Sequence, residues 1–132
     1  MNPEKKNFLI DMDGVLVRGH HPLPGARPFI QRLLQQEIKF LVVTNNPLYT
    51  PADLSYRLHA MGLDIPQGNI YTSAMATASF LDAQHPHGTA FVIGESGLTS
   101  ALHEIGYIIT DHKPEYVVLG ETSTYNLEQV TK

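Results

Sequence analysis

The sequence of 132 residues has no cysteine, which excludes disulfide bonds and thiolate metal sites and fits a reducing cytoplasm. Its nine Lys and Arg residues are scattered and form no basic block, so we expect no dedicated nucleic-acid surface. No apolar run approaches the roughly 18 residues of a membrane span, and the stretch before Asp11 is too short for a signal peptide. We expect a cytoplasmic protein that binds neither nucleic acid nor a membrane.

Enough apolar sequence is present for a packed core, at 42% hydrophobic residues, and it follows an alternating order. Short apolar runs at residues 8–10 and 40–43 predict strands, the first of them buried on both faces of a parallel sheet. The apolar stripe between them predicts a helix and consists of Phe29, Ile30, Leu33 and Leu34. Strand, helix and strand in this order form a βαβ unit, so the expected fold class is α/β.

The same alternation continues to the end of the chain. The segment His85-Pro86-His87-Gly88 is typical of a linker, and we expect a domain boundary there, with one domain over residues 1–83 and another over 84–132. Before this boundary we predict a strand at 70–71 and a helix at 73–83. Beyond it we predict strands at 90–93, 107–109 and 116–119, and helices at 98–105 and from Thr122 onward.

Polar side chains stand where two of the predicted strands end. Asp11 and Asp13 follow the first strand, and Thr44 and Asn45 follow the second. Ligands of open parallel sheets bind outside the carboxyl ends of the strands, so these four residues converge if the two strands are neighbours. Residues i and i+2 of an extended chain face the same way, so both carboxylates can point to this place.

Two carboxylates suit Mg²⁺, which prefers oxygen ligands and keeps several waters. Asp11 can then attack a phosphorus atom and form an aspartyl-phosphate, while Asp13 protonates the leaving oxygen and later activates water. The Thr44 hydroxyl and neighbouring backbone N–H groups can hold the phosphoryl oxygens. The pattern predicts a Mg²⁺-dependent hydrolase of phosphate monoesters.

Two of these segments resemble the first two motifs of the haloacid dehalogenase superfamily. Asp11-Met12-Asp13-Gly14-Val15-Leu16 resembles motif I, and Val42-Val43-Thr44-Asn45-Asn46 resembles motif II, in the proper order and spacing. Residues 72–78, 91–95 and 117–122 resemble the passage to the cap and the cap strands of the NagD-like branch (class IIA, with a C2-type cap). The resemblance covers nearly the whole chain and implies part of a Rossmann-like core with part of an inserted α/β cap domain.

The resemblance also implies roles for individual residues. Asp11 would be the nucleophile and a Mg²⁺ ligand, and Asp13 the acid/base and a Mg²⁺ ligand through its backbone carbonyl. Thr44 and Asn45 would form the phosphate site. Substrates of this branch are small phosphate esters such as nucleoside monophosphates and sugar phosphates, so the implied activity is that of a phosphatase with Mg²⁺ as cofactor.

The chain departs from the family pattern in one respect. The third motif supplies a Lys and the fourth supplies acidic residues that complete the Mg²⁺ shell, and both lie after the cap. Lys113-Pro114 stands between two predicted cap strands, so it is not the third motif. We expect the N-terminal half of such a protein, a poor enzyme alone, which self-associates or pairs with another chain to cover its incomplete sheet.

Two other functions stay open. The chain can be an inactive remnant that binds a partner or a phosphate ligand without turnover, or a receiver-type protein with Asp11 as the phosphate acceptor. An EF-hand loop is excluded, because Gly14 comes too early after Asp11.

Three smaller patterns have more than one interpretation. Gly94-Glu95-Ser96-Gly97 favours a tight strand-to-helix turn over an anion site, because it lacks the spacing of a dinucleotide fingerprint. His20-His21 and His85-Pro86-His87 lack the spacing of a zinc enzyme and are expected in surface loops. Ser73 lies either near a hinge between core and cap or at a helix N-cap.

Overall fold

A computed structural model describes residues 6–131; residues 1–5, for which we expect no signal peptide, lie outside that range. The chain folds into helices and strands, and the predicted α/β class is confirmed. In chain order they are β1 (Phe8–Asp11), β2 (Val17–Arg18), β3 (His21–Pro22), α1 (Ala26–Gln35), β4 (Phe40–Thr44), α2 (Pro51–Ala60), a 3-10 turn (Gln67–Asn69), β5 (Ile70–Thr72), α3 (Ser73–Gln84), β6 (Thr89–Ile93), α4 (Ser96–Glu104), β7 (Ile108–Ile109), β8 (Tyr116–Leu119) and α5 (Leu127–Thr131).

Contacts between residues divide the chain into two compact units. The first unit contains the chain up to Thr44 together with Pro51–Tyr71, and the second contains Asn45–Thr50 and the chain from Thr72 onward. The predicted boundary follows α3, whereas the contacts group α3 with the second unit, because its buried face packs into that unit's core. The assignment of residues 1–83 to a phosphatase core and 84–132 to a cap stays a prediction.

The first unit is built on a sheet of order β1-β4-β5. β1 runs parallel to β4, with Ile10 opposite Val42, and both residues are buried. Helices α1 and α2 each bury one apolar stripe, formed by Ala26, Ile30 and Leu33 in α1 and by Leu54 and Leu58 in α2. The two strands expected to be neighbours are therefore neighbours, with a helix between them in the chain.

The prediction that β1 is buried on both faces is wrong. Leu9 is 78% exposed, whereas the adjacent Ile10 is 6% exposed. Within the described part of the chain, β1 pairs with β4 and forms an edge of the sheet. A short apolar run is the same in a central strand and in an edge strand, because its pattern carries no information about what lies beside it.

A small hairpin between β1 and α1 was not predicted. In this hairpin β2 and β3 are antiparallel, with Val17 opposite Pro22 and Arg18 opposite His21. Strands of two residues are too short to show an alternating apolar pattern. Val17, which is 2% exposed, anchors the hairpin in the first unit.

The second unit is built on a sheet of order β7-β6-β8, in which both neighbours of β6 run parallel to it. Helices α3 and α4 pack against each other and contribute to the buried cluster of this unit. The cluster consists of Ala74, Ala78, Leu81, Ala90, Leu98, Ala101, Leu102, Tyr107 and Val118. One face of the second sheet is thus covered by helices.

Tyr107 brings a polar group into this cluster. Its side-chain hydroxyl bonds to the carbonyl oxygens of His85 at 2.7 Å and Leu81 at 3.2 Å. Burial, followed by repulsion from neighbouring groups such as Tyr116, raises the pKa of Tyr107 above its usual range. The buried hydroxyl thus has hydrogen-bond partners in place of water, and its bonds hold the C-terminal end of α3 against the core.

The other face of the second sheet is open. Val117 and Leu119 are 64% and 69% exposed, and they alternate with Val118, which belongs to the buried cluster. A groove of about 330 Å³ is lined by these two residues and, among others, by Tyr125 and Val130. The second unit therefore has one buried and one exposed apolar sheet face.

The helix predicted from Thr122 begins later, at Leu127. The Thr122 hydroxyl accepts a hydrogen bond from the Thr124 N–H at 3.1 Å and lies 3.0 Å from the Thr124 hydroxyl. Such local bonds from threonine side chains hold a turn and compete with helix formation.

The longest helix described, α3, has 12 residues. Within residues 6–131, no helix combines the length and the apolar character that crossing a bilayer requires. The cytoplasmic location expected from the sequence stays a prediction.

The core of the second unit can be tested with one pair of leucine substitutions. Leu102 is fully buried in the cluster, whereas Leu127 is 84% exposed. Leu102→Ala should lower the free energy of unfolding by about 2–5 kcal/mol, because it leaves a cavity. Leu127→Ala should change it by less than about 0.5 kcal/mol. Urea denaturation measures both, and equal effects would contradict this description of the core.

Candidate active site

The register between β1 and β4 brings the two strand ends to the same edge of the sheet. Asp11 lies opposite Val43, and the Met12 N–H donates to the Val43 carbonyl at 3.1 Å. Thr44 is the last residue of β4. Because the two strands run parallel, both end at the edge where ligands of such sheets bind.

The chain turns sharply after Met12. The Met12 carbonyl accepts hydrogen bonds from the N–H groups of Leu16 and Val17 at 3.0 and 3.1 Å, and the Gly14 N–H donates to the Val17 carbonyl at 2.8 Å. Gly14 has a φ of +82°, a backbone conformation that favours glycine. The glycine of the motif therefore serves the turn that follows the two aspartates.

A side-chain hydrogen bond joins the two strand ends. Thr44 Oγ1 donates to Asp13 Oδ2 at 3.2 Å, although the two residues are 31 positions apart in the chain. Thr44 is buried, whereas Asp11 and Asp13 are exposed. The structure brings Asp13 and Thr44 into contact and sets Asp11 at the same strand end; the catalytic roles of these residues stay predictions.

Asn45 follows Thr44 directly but is grouped with the second unit. It is exposed, and its backbone carbonyl accepts a hydrogen bond from Ser73 Oγ at 2.9 Å. Ser73 is the first residue of α3 and is not its N-cap, because Thr72 holds that position and its hydroxyl accepts from the Met75 N–H at 3.2 Å. The phosphate-binding role of Asn45 stays a prediction.

The oxygen donors at this strand end have the chemistry that a hard cation requires. Asp11 and Asp13 supply exposed carboxylates, and Mg²⁺ commonly binds one or two carboxylates and completes its shell with water and substrate oxygens. Within residues 6–131, no group of three or more metal-ligating side chains is placed to hold an ion. The two exposed carboxylates fit a Mg²⁺ ion that keeps several waters.

A family model described as haloacid dehalogenase-like hydrolase matches residues 8–108 of this chain. The chain belongs to this family. The matched span contains both aspartates and the Thr44-Asn45 pair, so the resemblance inferred from the two motifs is confirmed.

Named relatives of this haloacid dehalogenase-like chain are phosphatases. It is 55% identical over 125 residues to a dihydroxyacetone phosphatase of Corynebacterium glutamicum, covering 95% of this chain and 46% of that protein. It is 39% identical over 127 residues to the ribonucleotide monophosphatase NagD of Escherichia coli K12, and the match covers 96% of this chain and 50% of NagD. It is 40% identical over 121 residues to an acid sugar phosphatase of Staphylococcus epidermidis, and the match covers 89% of this chain and 47% of that protein.

Solved structures give the same result for the fold. NagD from Escherichia coli K-12 superposes with a TM-score of 0.88 at 39% identity and covers 96% of this chain and 50% of its own. A p-nitrophenyl phosphatase from Archaeoglobus fulgidus has a TM-score of 0.85 at 33% identity, and the superposition covers 98% of this chain and 50% of that phosphatase. The predicted likeness to the NagD-like branch is confirmed, and the chain spans about half the length of the curated relatives it matches.

The residues around Gly94-Glu95-Ser96-Gly97 form a tight strand-to-helix turn, in which the N–H groups of Leu98 and Thr99 both donate to the Glu95 carbonyl at 3.1 and 3.2 Å. The histidines expected in surface loops are exposed, namely His20, His21, His85 and His87, but His21 is the first residue of β3 and does not lie in a loop. Sequence reasoning missed that this turn also contacts the loop after Thr44, where the Gly97 N–H donates to the Leu48 carbonyl at 3.1 Å. The GESG segment itself was the available signal, but its partner lies 49 positions earlier.

Replacing Gly14 by alanine should destabilise the turn after β1, because a φ of +82° disfavours residues with a Cβ. Among the described residues no atom lies within 4 Å of where that Cβ would be, so the cost comes from the backbone. We expect a loss of about 1–2 kcal/mol in the free energy of unfolding. Gly14→Asn should lose less, since asparagine tolerates this conformation better. Equal losses for both variants in urea denaturation would contradict this explanation.

Proposed function

We propose that this chain carries the nucleophile, the acid/base and the phosphate-binding residues of a Mg²⁺-dependent phosphatase that hydrolyses small phosphate monoesters. Sugar phosphates and nucleoside monophosphates are the proposed substrate classes, since relatives are named dihydroxyacetone phosphatase, ribonucleotide monophosphatase and acid sugar phosphatase. The observation that carries the proposal is the 3.2 Å contact between Asp13 and Thr44 at adjacent strand ends, in a chain of this family.

The proposed reaction has two steps. In the first, an Asp11 carboxylate oxygen attacks phosphorus, the ester P–O bond breaks, and the Asp13 carboxyl group gives its proton to the leaving oxygen. In the second, Asp13 takes a proton from water, whose oxygen attacks phosphorus. The bond between phosphorus and the Asp11 oxygen breaks, so inorganic phosphate leaves and the Asp11 carboxylate is restored. The exposure of both carboxylates supports this scheme, because a phosphate ester and water must both reach them.

The charges at the site explain why a cation belongs to the proposal. Two unit charges of the same sign about 4 Å apart repel by roughly 4 kcal/mol at an effective dielectric constant near 20. A phosphate dianion would therefore be repelled by the ionised carboxylate of Asp11. When bound by these two residues, Mg²⁺ reverses this electrostatic effect and neutralises charge on the transferring group.

Thr44 has a single hydroxyl proton, and it is donated to Asp13 in this structure. The same proton can be donated to a phosphoryl oxygen only if the bond to Asp13 is given up. In the proposed cycle Asp13 is protonated when the ester binds, so its carboxyl group no longer needs Thr44 as a donor. We therefore propose that the Thr44 hydroxyl donates to Asp13 in the free protein and to a phosphoryl oxygen when the substrate is bound.

Binding of phosphate without turnover is the second candidate function. The two exposed carboxylates support it, since they could hold Mg²⁺ and, through the ion, a phosphate without breaking an ester bond. Isothermal titration with Mg²⁺ and inorganic phosphate separates the two candidates. Binding of both ligands with no release of phosphate from any tested ester would favour the second.

We propose further that the exposed apolar faces are covered in solution by self-association of the chain or by pairing with another chain. Leu9 on β1, and Val117 and Leu119 on β8, are each more than half exposed. Burying apolar surface gains roughly 25 cal/mol per Å², so faces of this kind favour association.

The phosphatase proposal predicts the behaviour of Asp11→Asn. Release of p-nitrophenol from p-nitrophenyl phosphate should require Mg²⁺ and be lowered by at least about 1000-fold in this variant, because an amide is a poor nucleophile. The assay uses the longest protein that contains this chain. Removal of Mg²⁺ by EDTA should abolish turnover in the unsubstituted protein and restoring the ion should recover it.

Asp64→Asn is the matched control, since Asp64 is exposed in the first unit and pairs with His59 at 2.5 Å, outside the site. We expect its activity to stay within about twofold of the parent. Full activity in Asp11→Asn would show that another residue is the nucleophile.

The association proposal predicts a sedimentation coefficient that rises with the concentration of the chain alone. Val117→Lys should shift the equilibrium towards the monomer, because it places a charge on the exposed sheet face. Glu121→Lys adds the same side chain beyond the end of β8 and serves as the control. A parent chain that stays monomeric at the highest concentrations would contradict self-association.

A further inference from the structure

The loop Asn45–Thr50, which follows the predicted phosphate site, is held by the first residues of two helices of its own unit. Ser73, at the start of α3, donates its hydroxyl to the Asn45 carbonyl at 2.9 Å. Gly97, in the first turn of α4, donates its N–H to the Leu48 carbonyl at 3.1 Å. These bonds act on backbone groups of the loop, so they constrain its path.

Gly97 also approaches the loop more closely than any other residue type could. A Cβ at this position would lie 2.5 Å from the Pro47 carbonyl oxygen and 2.6 Å from that of Tyr49. Both are backbone atoms, which cannot move aside as the end of a flexible side chain can. Glycine is therefore required for close packing of two backbones and not for a special φ angle.

The loop adds a bond of its own. The Asn46 side-chain oxygen accepts a hydrogen bond from the Leu48 N–H at 2.8 Å. With the bonds from Ser73 and Gly97, this bond makes three hydrogen bonds that hold the four residues from Asn45 to Leu48. A segment without strand or helix hydrogen bonds thereby has a defined backbone conformation.

The bond from Ser73 has a direct geometric consequence for the next peptide group. A peptide unit is planar and trans, so its N–H points opposite to its C=O. The Asn45 carbonyl and the Asn46 N–H belong to the same peptide unit. Fixing the carbonyl towards Ser73 therefore fixes the direction of the Asn46 N–H, which is one of the backbone donors next to Thr44.

We propose that Ser73 and Gly97 are positioning residues for phosphate binding, acting through the backbone of Asn45–Thr50. Ser73 sets the orientation of the Asn45–Asn46 peptide unit, and Gly97 sets the position of the Leu48 carbonyl. This proposal rests on the proposed function, because it assigns a phosphate to the donors at Asn45 and Asn46. It also gives the GESG turn a purpose, since the Gly97 N–H is donated to Leu48 and not to an anion.

Two pairs of variants test the proposal. Ser73→Ala removes the hydroxyl, and Ser73→Thr keeps it. Gly97→Ala introduces the clash with the loop, and Gly68→Ala is its control, since a Cβ at Gly68 would meet no described atom within 4 Å. Each protein is titrated with inorganic phosphate in the presence of Mg²⁺ by calorimetry, and the backbone amide signals of Asn45, Asn46 and residues 48–50 are recorded by NMR.

The expected result has a pattern that general destabilisation would not produce. Ser73→Ala should weaken phosphate binding about tenfold, which corresponds to the loss of one good hydrogen bond, and should shift the Asn46 amide signal. Gly97→Ala should weaken phosphate binding by about the same factor, because its Cβ displaces the loop, and should shift the Leu48 amide signal. Ser73→Thr and Gly68→Ala should bind phosphate within about twofold of the parent. Phosphate binding that is unchanged in Ser73→Ala, or lost equally in Ser73→Thr, would overturn the proposal.

Failure of the proposed function has a different signature. If the parent chain bound no phosphate, the phosphate site itself would be refuted, and the positioning role with it. The amide signals would then still report on the loop: a shift at Asn46 in Ser73→Ala that Ser73→Thr restores would show a structural tie without a phosphate role. Unchanged amide signals together with normal phosphate binding in the parent would refute the positioning role alone.

Discussion

The parallel pairing of β1 with β4 is the constraint on which the candidate site depends. Asp13 and Thr44 are 31 positions apart, and they meet only because this register places Asp11 opposite Val43. The register is specified by the buried face, where Ile10 lies opposite Val42. A slip by one residue would turn each buried side chain to the other face, so the core that stabilises the first unit also aligns the reactive groups.

The loop Asn45–Thr50, which follows Thr44 in the chain, belongs to the second unit. The Ser73 hydroxyl and the Gly97 N–H bind carbonyl groups of the loop Asn45–Thr50. Thr44 and Asn45 are adjacent in one motif but are held in different ways. Thr44 is the last residue of β4, whereas Asn45 lies in a loop held by hydrogen bonds from α3 and α4.

Exposure and burial are divided at the site in a way that suits phosphate chemistry. Both carboxylates are exposed and can exchange water, protons and a cation with solvent, while the Thr44 hydroxyl between the strands is buried. The hydrogen bond between Thr44 and Asp13 is therefore partly buried, with its donor in the core and its acceptor open to solvent. The arrangement combines two solvent-exposed carboxylates with a donor on a buried residue.

Local sequence determined the strands at Phe8 and Phe40, the helix between them, and the two motifs with Asp11, Asp13 and Thr44, because apolar runs and turn glycines act over a few residues. It also determined the family, since each of the two motifs is a short segment that is recognised from its own residues. Only the tertiary structure decided that Leu9 is exposed, that α3 packs with the second unit, and that Gly97 holds the loop at Leu48. These features depend on contacts between residues far apart in the chain, and no short segment carries information about its distant partner.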